Sequence, residues 1–454
     1  MTSIPIIARL AHWSAGLRGQ ELGDDVVSGA ARCILDTVGV GLAGAGRPLT
    51  RSVCDTVAAE VADGPCSILG KAIRLRPTGA ALINGTACHV LDFDDTCYDG
   101  IVHASCVILP AVLACAEEAD ASGADLLAGF VAGSEVTYVL GRALPGIFWQ
   151  GWWTTSLLGA IGAAAGCARA LGLDAGKTTH AMALATCFTF GLRTLLGTDA
   201  TPLGAGYAAE AGVRAALLAR AGAQGPETTF ESDLGLARMF NQGKIDASAI
   251  DSLGQRYALL GANLSFKAFP ACSGTQAASQ AVGELLGEHA IAAGDVRSVR
   301  ARVMPLVAEN LRYPSPDNLT QAQFSLPFAV GCQLRFGRFG VRQLADGVLQ
   351  DAALQAEMAK VEMIRTDDLV AEADLLRFPE AAEVAIELND GTVLRRFVGA
   401  ARGMPDAPMS DAMLDDKFIE CAEAELGNAP ARVVLARLRD LRALGSVRNL
   451  LRVA

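Results

Sequence analysis

Apolar residues recur at three- and four-residue intervals from Ile4 to about Asn263, and that period belongs to helices packed on one face. The stretches VVSGAARCILDTVGVGLAGAG, GADLLAGFVAGSEVTYVLGRAL and AAEAGVRAALLARAGA carry it most clearly. Ala and Gly crowd every side of these segments, so little polar face is left over. Such helices belong inside a large core or a subunit interface. The joints AGAGRP (43–48) and ALPGIF (143–148) punctuate them. Beyond Phe269-Pro270 the period shortens. VRSVRARVM (296–304) alternates as a half-buried strand does, 360–365 resembles another, and VAIELNDGTVLRRFV (384–398) reads as a hairpin turning at Asn-Asp-Gly. With a helix predicted over 318–336 between them, these strands define a second, α+β region over roughly 266–404. The last segments, MLDDKFIECAEAELG and ARVVLARLRDLRALG, return to helix with a charged face.

Composition narrows the function classes. A chain of 454 residues with 51% hydrophobic side chains is long enough for two or three domains and a sizeable core. Its net charge of −11 argues against nucleic acid and against an anionic membrane surface, since both require clustered Lys and Arg. A small anionic substrate stays compatible, because a few local basic groups dominate a pocket. Mean hydropathy is positive, +0.32, yet the apolar runs are broken by charge before they reach the roughly 20 residues of a membrane span. They are expected to be buried helices. The start MTSIPIIARLAHW lacks the basic and apolar regions of an export signal. Twelve cysteines show no CxxC pair, which predicts reduced core thiols and a cytoplasmic protein. Neither GxGxxG after a strand nor GxxxxGK[ST] occurs, so nucleotide binding has no support.

The chemistry concentrates in ACHVLDFDDTCYDGIVHASCVILP (87–110), where Asp92, Asp94, Asp95 and His103 fall between apolar runs. Charges in such a setting are expensive unless paired or used. DFDDT reads as a solvated turn capping the next helix, or as a place where three carboxylates and a histidine hold a hard divalent ion. Its spacing matches neither a calcium loop nor HExxH. His89, one turn earlier, reads as a structural helix residue, and His12, His180 and His289 as surface or helix-end residues. Cys272 beside Ser273 reads as a small buried thiol, with a nucleophile as the alternative. Ser325 in FSLPF either bonds a ligand or caps the following helix.

NGTACHVLDFDDT followed by HAS resembles the signature of the MmgE/PrpD family, and GWWTTSLLGAIGAAAG (151–166), GTDATPLGAGYAAEAG (197–212), SFKAFPACSGTQAA (265–278) and AQFSLPFAVG (322–331) extend the likeness. The resemblance implies a mainly α fold with an α+β part. It also implies a large all-helical domain formed by 1–265 and 405–454, a smaller α+β lid domain over 266–404, and a homodimer through the helical domain. Members move a proton beside a carboxylate of a small di- or tricarboxylate, as dehydratases, decarboxylases or epimerases, typically without metal or organic cofactor. Carried over, His103 is the acid/base, Asp92 orients it or raises its basicity, and Lys267 pairs with a substrate carboxylate. Thr96, Trp153, Thr201, Gln276 and Ser325 complete the substrate-binding set.

The chain departs from the pattern at several of these positions. Trp153, Gly204 and Gln276 stand where the family usually has histidines, Thr201 where a lysine is common, and Phe328 where decarboxylase-like members can hold a tyrosine. Fewer cations mean fewer charge-assisted partners for carboxylates, so a less charged, more apolar substrate is expected. Arg193 and Arg312 are candidates for compensating charge. Dehydration is the first expectation, followed by decarboxylation and epimerisation. The rival from another class is a member that has lost this catalysis and serves a binding role, with no nucleic-acid or membrane partner in either case.

Overall fold

The helices Gly123–Ala143 and Thr154–Ala170 show why the N-terminal half is so rich in small residues. A Cβ added at Gly129 or Gly133 would sit 3.0 or 2.9 Å from the carbonyl oxygens of Gly166 and Gly162 on the facing helix. Only bare backbones approach this closely, and the approach buries both helices almost completely. Helices Pro77–His89, Ser105–Ala119 and Ala200–Arg220 pack around this pair, and Asp24–Ala45 lies against the C-terminal helix Asp411–Leu426. The computed structural model describes residues 4–188, 190–261 and 263–452.

One hydrophobic core runs through Ile7 to Phe266 and resumes from Met409 to Leu450, while a second lies within Cys272 to Met404. A third cluster joins them, with Val40, Leu91 and Phe93 from the helical part meeting Phe328, Phe339 and Leu344. The second core sits under a four-stranded sheet ordered Val361–Arg365, Val296–Val303, Ala382–Leu388, Val393–Val398. The first pair is parallel and the others antiparallel, and Val299, Ala301 and Val303 of the second strand point into the core. The hairpin turns at Asn389, Asp390 and Gly391, the glycine with φ +91°.

Two expectations need correction in detail. The helical part is not all helical: Asp63–Ser67 pairs with Arg74–Leu75, and Thr96–Cys97 with Leu264–Ser265. Two-residue strands leave no alternation to read in a sequence. The single helix expected over 318–336 is two, Leu319–Ala322 and Leu326–Phe336. Pro327 at the start of the second has no N–H to continue a helix, and the Ser325 hydroxyl caps the new one by accepting from Phe328 N at 3.2 Å.

By length and composition Asp24–Ala45 meets the measure of a membrane span, but 67% of its apolar window is buried within the protein. Its Asp36 carboxylate lies 2.7 Å from Lys417 Nζ of the C-terminal helix. Among the described residues every cysteine is a free thiol, and all but Cys187 are buried.

Candidate active site

Helix Pro77–His89 ends at the acidic segment, and the chain reverses sharply because Asp92 adopts a left-handed conformation, φ +44°. Aspartate tolerates this region better than most residues. The reversal sends successive carboxylates in different directions. Asp92 meets the Lys267 ammonium in a buried ion pair, reinforced by Nζ donating to the Asp92 carbonyl at 2.9 Å. Asp94 Oδ1 accepts from His89 Nδ1 at 2.9 Å, and Asp94 Oδ2 stands 3.5 Å from His103 Nδ1. Asp95 takes the Ser105 hydroxyl on Oδ2.

His103 reaches this place through a closed loop. Cys97 and Val102 exchange backbone hydrogen bonds at 2.9 Å, which brings the chain back over Asp94 and Asp95. The Thr154 hydroxyl holds the Ile101 carbonyl, and Thr155 Oγ1 accepts from His103 N at 3.0 Å. The imidazole Nδ1 then faces two acceptors, the Asp95 carbonyl at 2.9 Å and the Asp94 carboxylate, with the Thr96 hydroxyl at 3.3 Å. Nδ1 therefore carries the proton, and neutral His103 presents a lone pair on Nε2.

Lys267 arrives from the other part of the chain. The ribbon that pairs Thr96 with Ser265 sets it two residues past the pairing, above Asp92. Gln276 secures the same segment, its Oε1 accepting from Ala268 N at 3.0 Å and Phe269 N at 2.9 Å and its Nε2 donating to the Phe269 and Ala271 carbonyls. Across the seam Tyr98 OH and Ser273 Oγ both donate to Glu380, each at 2.6 Å.

The electrostatics separate the two histidines. Burial opposes charge on His89, but the Asp94 carboxylate outweighs it, and the pKa is raised. Its place in the last turn of a helix favours the cation further. Burial and then the nearby Lys267 ammonium lower His103 from 6.5 to about 4. Asp94 is buried, yet His89 and His103 hold it well below the usual carboxylate range. Burial, little relieved by Ser105, pushes Asp95 up to about 7. Lys267 is raised, its own burial being overcome by Asp92 and Asp94. Only His103 keeps appreciable side-chain exposure, 15% against 3% for His89, 0% for Asp94, 1% for Lys267 and 6% for Asp92.

The expected site residues are thus partly reassigned. Asp94, not Asp92, is the carboxylate at His103, because the left-handed turn aims Asp92 at Lys267. Lys267 gives two of its three N–H donors to Asp92 and is almost fully buried, which leaves at most one donor for a substrate carboxylate. Gln276 has its amide oxygen and nitrogen occupied by backbone, and Ser325 Oγ accepts from Phe328 N as a helix cap. Thr201 Oγ1 donates to the Leu195 carbonyl at 2.7 Å. Thr96 is buried with its hydroxyl at His103. Trp153 has its ring 5.4 Å from His89 and covers Gly204, where an added Cβ would fall 2.8 Å from Cζ3. Phe328 is fully buried, edge-on to Phe339. The Arg193 guanidinium lies over the Phe148 ring at 3.9 Å and Arg312 donates to the Arg193 carbonyl at 3.0 Å, so both are engaged elsewhere. Cys272 is buried and its thiol pushed up by burial, which removes the nucleophile alternative. His180 bonds the Gly225 carbonyl at 3.1 Å.

His89, Asp94, Thr154 and Thr155 are the residues the sequence reading underweighted. His89, Asp92, Asp94 and His103 offer donor atoms within 4.8 Å of one another, the arrangement a cation would need. Lys267 already compensates Asp92, and Asp94 serves both imidazoles, so the charge that would draw a divalent ion is largely spent.

The chain is similar to known proteins along most of its length. The MmgE/PrpD N-terminal domain matches residues 8–248 and the MmgE/PrpD C-terminal domain residues 269–441. Cis-aconitate decarboxylase of Mus musculus is 27% identical over 421 residues, covering 89% of this chain and 84% of that protein. The human cis-aconitate decarboxylase is 27% identical over 420 residues, covering 89% and 85%. The cis-aconitate decarboxylase-like protein oryM of Aspergillus oryzae is 24% identical over 471 residues, covering 98% and 96%. With the family's two domains matching most of its length, and with the DFDDT turn, its histidine and the FKAFP lysine meeting at one place, the chain belongs to the MmgE/PrpD family.

Proposed function

We propose that this protein is a lyase that removes a proton from the carbon beside a carboxyl or carbonyl group of a small carboxylate and expels water, with His103 as the acid/base. The observation that carries this reading is the accessible neutral imidazole set on a buried, charge-compensated floor. His103 Nε2 takes the α-proton as the C–H bond breaks. The charge that develops on the substrate oxygen is met by His89, whose ring lies 5.0 Å from that of His103 and whose pKa the Asp94 carboxylate raises. The proton on Nε2 then passes to the leaving hydroxyl as the C–O bond breaks, water departs, and His103 is neutral again. One exposed group serving both steps places proton and hydroxyl on the same face of the substrate. Asp92 and Asp94 balance Lys267 and His89, so the cluster holds no surplus cation for a tricarboxylate, which supports a less charged substrate. No group other than these side chains is required by the scheme.

Decarboxylation is the second reading, favoured by the likeness to the mouse and human cis-aconitate decarboxylases and to the Aspergillus oryzae cis-aconitate decarboxylase-like protein. There the C–C bond to carbon dioxide breaks and a histidine supplies a proton to carbon. Incubation with a panel of hydroxy and unsaturated carboxylates, followed by mass spectrometry, distinguishes loss of water from loss of carbon dioxide. His103→Gln is expected to lower turnover on the responsive compound by roughly 10²- to 10⁴-fold with the fold intact. Undiminished turnover in that variant would remove His103 from the chemistry. A compound that binds but is never turned over by the wild type would favour a binding role instead.

A further inference from the structure

One buried carboxylate ties together the two chain segments that carry the site. Glu380 lies just before strand Ala382–Leu388 of the α+β part and is 5% exposed. Its Oε2 accepts from Tyr98 OH and its Oε1 from Ser273 Oγ, each at 2.6 Å. Burial raises its pKa, while the two hydroxyls and the Lys267 ammonium pull the other way. No step of the proposed reaction uses Glu380, yet holding a carboxylate out of water is costly.

Tyr98 belongs to the loop that delivers His103. Cys97 and Val102 close that loop at its base, directly before the imidazole. Near its tip Ile101 has φ +53°, a left-handed conformation that a β-branched residue adopts only under constraint. Asp99 of the loop bonds Arg142 and Asn263, and the Ile101 carbonyl bonds Thr154, all within the helical part. Tyr98 instead crosses the seam, with its ring packed against the second core. Ser273, the other donor to Glu380, follows Lys267 on the segment that Gln276 fastens.

We propose that Glu380 is a positioning residue, whose two hydrogen bonds set the spacing between the His103 loop and the Lys267 segment. The role rests on the acid/base reading of His103. Misplacing a proton-transfer group by about 1 Å can cost about 10²-fold in rate, and the strain at Ile101 gives the loop a reason to relax once Tyr98 is released. The loss should therefore fall on turnover and not on affinity.

The test observes His103 directly by nuclear magnetic resonance of protein carrying isotope-labelled histidine. The Nδ1–H signal, held by the Asp95 carbonyl, is identified by its disappearance in His103→Gln. Glu380→Ala frees both hydroxyls and should shift or broaden that signal. On the carboxylate that the panel identifies, kcat per folded molecule should fall about 10²-fold with KM little changed. Tyr98→Phe frees the His103 loop alone, should act in the same direction, and carries the test if Glu380→Ala does not fold. Glu380→Gln offers an oxygen to one hydroxyl and an N–H to the other, so it should restore both signal and kcat. An unmoved signal in Glu380→Ala and Tyr98→Phe, an unchanged kcat beside a moved signal, or an equal loss of kcat in Glu380→Gln overturns the positioning role. A moved signal and a lowered kcat, together with full turnover in His103→Gln, keep the tie and discard the acid/base reading.

Discussion

Removing the Lys267 ammonium should be among the most damaging single changes in this protein. Lys267 and Asp92 are 1% and 6% exposed, and the ammonium binds both the carboxylate and the backbone carbonyl of Asp92. Lys267→Met would leave a carboxylate buried without its cation, a situation that costs about 3–5 kcal/mol in proteins. Asp92→Asn keeps the left-handed turn, which asparagine also tolerates, and strands the ammonium instead. The double variant removes both charges, so its loss should be smaller than the sum of the singles by roughly 1–3 kcal/mol. Urea unfolding followed by far-ultraviolet circular dichroism measures all three, provided the slope with denaturant stays constant across the set. The same substitution withdraws the cation that helps lower His103, so the acid limb of kcat/KM should move to higher pH in Lys267→Met. If Lys267→Met loses under about 1 kcal/mol and instead raises KM at constant kcat, the ammonium serves the substrate and the ion pair drawn here is wrong.

Three further outcomes follow from the same geometry. His103, lowered from 6.5 to about 4, contributes stability that is complete above its unfolded value and is lost as pH falls toward 4, by up to about 3 kcal/mol. Urea midpoints between those pH values should decline in wild type and decline less in His103→Gln; equal slopes would show that His103 is not buried neutral. His89 has the opposite sign, its raised pKa lending stability at low pH that disappears as pH rises through it. Gly204→Ala should destabilise by about 1–3 kcal/mol through pressure on Trp153, and become neutral or stabilising in a Trp153→His background, as thermal melts of the four proteins would show. Gln276→Leu orphans two N–H groups of the segment before Ala271 and should cost about 2–4 kcal/mol in denaturant titration, a loss absent if that amide faces solvent.

The long helices, the strand at 296–303 and the hairpin near 384–398 were legible because each repeats its period often enough to exclude the alternative. Thr96–Cys97 and Leu264–Ser265 were not, since a pairing of two residues with two others across more than 160 positions leaves no local pattern. The same ribbon decides which cation meets which carboxylate, so the exchange of roles between Asp92 and Asp94 was hidden with it. DFDDT announces three acids but not their directions, which depend on one left-handed φ. His89 looked structural because it closes an apolar helix. Its importance appears only when Asp94 folds back five residues to reach it. Gln276 looked like a ligand-binding substitute because a polar residue in a motif invites that reading, whereas its four bonds are all to nearby backbone.

The indole over Gly204 also orders the substitutions by which such a site can change. With a side chain at 204, a tryptophan at 153 is crowded, whereas a glycine at 204 tolerates either a small or a large neighbour. A stepwise route into this arrangement is least costly when position 204 is opened first and 153 filled second. The way back is the mirror image: an ionisable residue can be restored at 204 only after Trp153 has been reduced. Libraries that vary one of the two positions at a time will therefore find that the restoration at 204 fails alone, and pairwise libraries are the ones in which it succeeds.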